Sequence, residues 1–184
     1  MKIDRQTRNS ILLAAVQIAA LVGLAWYANR LVEMGPTDAR GWRRFAWPFG
    51  EDEAPVGRAY SGEHHDVYVW LTLGPGGDCP EGVPDDAALE RAVDIRLLDP
   101  RFQPAGPGEP LRVTDLVGRT RVYVHKRHNR SPRYGEAVAI PYKCDLITAI
   151  IDGDARDPAK RKAAHEFLES NTVQVPILEA LEDR

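Results

Sequence analysis

From Asn9 to Asn29 the chain carries no Lys, Arg, Asp or Glu, and no other feature limits its fold so strongly. A continuous helix over such a window spans about 30 Å at roughly 1.5 Å per residue, the hydrocarbon thickness of a bilayer. Leu, Ile, Val and Ala dominate it, and Gln17 is the amide in its middle that wants a partner from a neighbouring helix. Gly23 and the surrounding alanines permit a close helix contact. Trp26 and Tyr27 close the window with amphipathic rings suited to a membrane interface.

Lys2, Arg5 and Arg8 give the window a basic leader, as in a signal peptide. Cleavage after Ala28 would however leave Trp26 where a small residue is required, so the sequence predicts an uncleaved signal-anchor over 9–31. The density of basic residues before Asn9 sets the N terminus in the cytoplasm and the larger part of the chain in the periplasm or outside the cell. Arg30, Arg40, Arg43 and Arg44 on the far side weigh against that orientation.

With 184 residues there is room for this anchor and one compact domain. Residues 1–8 read as a short basic tail and 9–31 as the anchor. Residues 32–59 read as an irregular collar interrupted by Pro36, Pro48 and Pro55, and 60–184 as the globular part. In the collar, Trp42, Arg43, Arg44 and Trp47 suit anionic headgroups on a membrane surface, or a segment packed on the domain by its aromatics.

Within the domain, VYVWLTL from Val67 is β-branched and aromatic and predicts a strand. DDAALERA predicts a helix capped by Asp85 or Asp86, and VDIRLL a strand after it. LRVTDLV and TRVYVHK predict two strands around Gly118, and AVAIPY and LITAII two more. PAKRKAAHEFLE predicts a helix starting at Asp154 or Asp157, with Pro158 in its first turn. The expected fold is therefore a single N-terminal transmembrane helix followed by a small α+β domain, mainly antiparallel sheet, with a barrel-like arrangement as the variant short strands allow.

Two groups of residues invite a chemical reading. His64, His65 and Asp66 are contiguous, and His125 and His128 form a pair; together they supply donors for a transition metal if they converge in space. Lys126 and Arg127, between the latter two, oppose a cation. The stretch from Gly118 to Gly135 carries Arg119, Arg121, Lys126, Arg127, Arg130 and Arg133 and no acid. It suits an acidic protein surface or anionic lipid, while a chain of net charge −3 argues against nucleic acid. Cys79 and Cys144, the two cysteines, form a disulfide or remain structural thiols. No catalytic residue and no cofactor is expected, a transition metal being the exception just described.

The sequence thus points to a membrane-tethered accessory or assembly subunit that positions a partner within an integral membrane complex. Its contacts would come from Gln17 and Gly23 in the anchor, the collar residues and the basic stretch. The alternative is a membrane-bound metal-binding protein or enzyme built on the histidine and aspartate cluster.

Overall fold

The computed structural model of the chain describes residues 14–26, 35–50, 56–72 and 82–182. They fall into two compact units, Met1–Pro36 and Thr37–Arg184.

In the first unit residues 14–26 are helical. Among the described residues no helix is long and apolar enough to cross a membrane. Residues 9–13 and 27–31 of the expected anchor lie outside the described residues. This finding overturns the single-pass signal-anchor, the membrane location and orientation that followed from it, the integral membrane or lipid partner that both required, and with them the membrane-tethered accessory or assembly subunit.

The second unit is an antiparallel sheet covered on both faces. Its strands are β1 (Arg43–Phe45), β2 (Gly57–Ser61), β3 (His65–Thr72), β4 (Gln103–Pro104), β5 (Glu109–Val113), β6 (Leu116–His125), β7 (Arg133–Tyr142) and β8 (Asp145–Gly153). They run in the order β1-β2-β3-β8-β7-β6-β4, with β5 also pairing with β6. The mixed α/β domain is thus an open sheet, not a barrel. Among the described residues three α-helices accompany it, α1 (Asp86–Ala92), α2 (Pro158–Leu168) and α3 (Asn171–Glu182).

Side chains alternate between the faces of a strand, and β3 shows why this strand needs cover on both. Val67 and Val69 join a core with Trp42, Val138, Ile151, Phe167 and Leu168 under α2 and α3. Tyr68 and Trp70 join a second core with Leu89, Val93, Ile95, Phe102 and Ile150 under α1 and the segment after it. Phe45, Trp47 and Phe49 pack on this second core. The segment from 37 to 50 therefore belongs to the compact unit: Trp42 is buried and stacks on Phe167, centroids 3.9 Å apart and planes 13° from parallel.

Local chemistry sets most boundaries. The Asp85 side chain accepts from Ala88 N at 2.7 Å and caps α1; Asp157 accepts from Ala159 N and Lys160 N and caps α2, with Pro158 following. VDIRLL is a 3-10 turn at Ile95–Leu97 instead of the predicted strand. The Asp94 carboxylate takes Arg96 N at 3.0 Å and Arg96 Nε at 2.8 Å, a local bond that competes with a ladder. The β5–β6 hairpin turns at Thr114–Asp115 instead of at Gly118, with Val113 paired to Leu116. Gly118 lies inside β6, where a Cβ would run into Ala139 O and Ile140.

The sequence reading places no helix after PAKRKAAHEFLE, and the one found here holds Pro176 in its interior. A proline lacks the N–H that would bond the carbonyl four residues earlier, here Thr172. The Tyr60 hydroxyl donates to that carbonyl at 3.3 Å. A residue of β2 thus satisfies the group the proline leaves open.

Candidate functional site: an apolar cavity and a buried glutamate

The histidines proposed as metal donors do not converge. His65 starts β3 on the face of Val67, under α2, where its ring fills the space over Gly153. His125 ends β6 on the opposite face, against Phe102 at 6.1 Å and with Nδ1 3.4 Å from Asp99 Oδ2. The sheet separates the two rings. His64 is exposed beside Glu63 at 3.7 Å, His128 is exposed in the β6–β7 loop, and Asp66 alternates to the face away from His65. Among the described residues no group of three or more His, Cys, Asp or Glu is placed to hold a metal. That overturns the metal-protein alternative: neighbours in sequence point to opposite faces of a strand.

The basic stretch divides in two. Arg119 donates from Nε to Asp86 Oδ1 at 2.7 Å, Arg121 from Nη1 to Glu90 Oε1 at 2.8 Å, and Arg133 from Nε to Asp152 Oδ1 at 2.9 Å. These three arginines bind structural carboxylates. Lys126, Arg127 and Arg130 stand exposed in the loop between β6 and β7. In the collar segment, Arg43 and Arg44 are exposed on β1, and Trp47 packs edge-on against Phe49, Tyr68 and Trp70. Gln17 and Gly23 lie in the helical stretch of the first unit, exposed. Cys144, in the β7–β8 turn, is disulfide-bonded; Cys79 lies outside the described residues.

Sequence reasoning passed over Glu136, which is fully buried on β7 beneath α2. Its Oε1 accepts from Arg161 Nε at 3.0 Å, from Arg161 Nη2 at 2.9 Å and from the Thr120 hydroxyl, and lies 3.0 Å from His165 Nε2. Arg161 and His165 sit one turn apart on α2, so both reach the same oxygen. Burial alone pushes this carboxyl up. The hydrogen bonds from His165 and Arg161, the His165 charge and the Thr120 bond outweigh burial and hold it below its ordinary value. Oε2 is buried with no hydrogen-bond partner, as is His65 Nε2 on the same face. Burial, with His64 nearby, lowers the affinity of His65 for a proton. A lone acid within GEAVAI is the signal that was available for Glu136.

Further along this face, between the β5–β6 hairpin and the last two helices, the side chains leave a cavity of ≈260 Å³. Val113, Leu116, Ile140, Ile147, Ala149, Leu168, Val173 and Ile177 give it an aliphatic wall, and Thr114, Asp115, Tyr142 and Gln174 supply its polar groups. Thr114, Asp115 and Tyr142 lie at the β5–β6 and β7–β8 turns, so the polar side faces the end of the sheet. Both turns carry a non-glycine residue in the left-handed region, Thr114 at φ 52° and Lys143 at φ 53°. Each is the first of two turn residues, a position that tight hairpins fill with positive φ. The lining residues come from four strands and two helices, and no spacing along the chain signals that they meet. No protein-family model and no curated protein matches the chain.

Proposed function

We propose that the second unit is a binding module that takes the aliphatic part of a small amphiphile into the cavity between β5–β8 and α3. The observation supporting this reading is the pairing of an aliphatic wall with a few polar groups at one end, the usual composition of a ligand pocket. A cavity of 150 Å³ holds benzene; by proportion, the volume here matches a chain of about ten carbons. Asp115 among the polar groups disfavours an anionic head, while Gln174, Thr114 and Tyr142 offer donors and acceptors to a hydroxyl or amide. The reading assigns binding and no chemical step.

Titration of the full chain with 1-octanol, followed by methyl-region NMR, tests it. Shifts concentrated at Leu116, Ile140, Ile147 and Ile177 support the cavity as the site. Shifts spread over the apolar residues of 14–26, with these four unmoved, contradict it.

A further inference from the structure

The loop from Lys126 to Pro132, closed by the pairing of His125 with Arg133, is exposed throughout. It carries Lys126, Arg127 and Arg130 and no carboxylate. The acids nearest its base are already engaged: Asp99 accepts from Arg101 Nε at 2.9 Å and Nη2 at 2.8 Å, and Asp152 from Arg133. Among the described residues, Lys126, Arg127 and Arg130 have no ion-pair or hydrogen-bond partner. Three positive charges thus stand together in water, while Arg119, Arg121 and Arg133, the other basic residues of the stretch from Gly118 to Gly135, are neutralised in place.

We propose that this loop is a docking surface for an acidic, extended segment of a partner protein. Charge complementarity identifies the partner class: three uncompensated cations call for a run of about three carboxylates, and steering by such a patch raises the rate of encounter. A single-stranded nucleic acid is the poorer fit. Binding of that kind relies on aromatic rings that stack bases, and residues 126–132 contain no Phe, Tyr or Trp, the small imidazole of His128 being the ring they hold. The neighbouring Tyr134 ring is covered by the Arg156 guanidinium at 4.3 Å. The surface is independent of the aliphatic cavity, which lies at the opposite end of the strands.

The test is fluorescence anisotropy of the full chain with a labelled ten-residue peptide of alternating Glu and Gly, at low salt. The expected result is binding that weakens steeply with added salt. The triple variant Lys126→Gln/Arg127→Gln/Arg130→Gln should lose about tenfold in affinity, from exposed pairs of ordinary strength. The control Arg96→Gln, at an arginine already paired with Asp94, should bind as the parent does. Because the loop is exposed, circular dichroism of the triple variant should match the parent. Equal binding by triple variant and parent would overturn the proposal. So would tighter binding of a ten-nucleotide oligo-dT, or of vesicles rich in phosphatidylserine, with the same loss in the triple variant.

Discussion

The hydroxyl of Tyr60 on β2 donates to the carbonyl of Thr172 at 3.3 Å, the carbonyl that Pro176 leaves without its helical donor. Strand β2 and the last helix are joined through this bond as well as through apolar contact. Tyr60→Phe should therefore cost about 1 kcal/mol of stability. In a Pro176→Ala background the helix supplies its own N–H to Thr172, and the same change should cost less than half as much. Denaturant unfolding of the four proteins in the cycle measures the difference.

That bond also marks how far the sequence could be read. VYVWLTL, LITAII and PAKRKAAHEFLE carry their periods openly, and β3, β8 and α2 fall on them. α3 was hidden because a proline inside a helix reads as a stop unless a residue 112 positions away takes the orphaned carbonyl. The cavity was hidden for a related reason, since its walls come from six elements and depend on register. The uncharged window at the N terminus suggested a span, and among the described residues no helix is long and apolar enough to be one. The histidine cluster misled because adjacency along a strand is separation across a sheet.

Glu136 and His65 predict a two-stage loss of stability in acid. His65 holds its proton less tightly folded than unfolded, so stability is complete above its unfolded value of 6.5 and declines as pH falls below it. Glu136 is held below 4.5, so its contribution is complete above 4.5 and lost as pH falls further. Unfolding midpoints measured from pH 7 to pH 3 should show both declines. His65→Gln should flatten the upper one and leave the lower one.

Removing the Glu136 charge while keeping its shape tests the network directly. Glu136→Gln leaves Arg161 and His165 facing a neutral amide in a buried site and should cost about 3 kcal/mol at pH 7. Urea unfolding measures it, and the cost should shrink as pH falls below 4.5, where the carboxyl of the unfolded parent takes up a proton that the folded one binds less readily.

Phe167 is fully buried between Trp42 and Tyr60, stacked on the first and edge-on to the second at 5.1 Å. Phe167→Ala should cost about 4 kcal/mol and Phe167→Leu about 1 kcal/mol. Urea unfolding of the parent and the two variants measures both values.

The aliphatic cavity is tested most directly by isothermal titration calorimetry of straight-chain alcohols from four to fourteen carbons against the full chain. Each buried methylene contributes about 0.8 kcal/mol, so the dissociation constant should tighten about fourfold per carbon and level off near about ten carbons, where the cavity of ≈260 Å³ is full. Ala149→Leu, which fills the cavity from the sheet side, should move that plateau to shorter chains. A dissociation constant that keeps tightening through fourteen carbons, or one that Ala149→Leu leaves unchanged at every length, would contradict binding in the cavity.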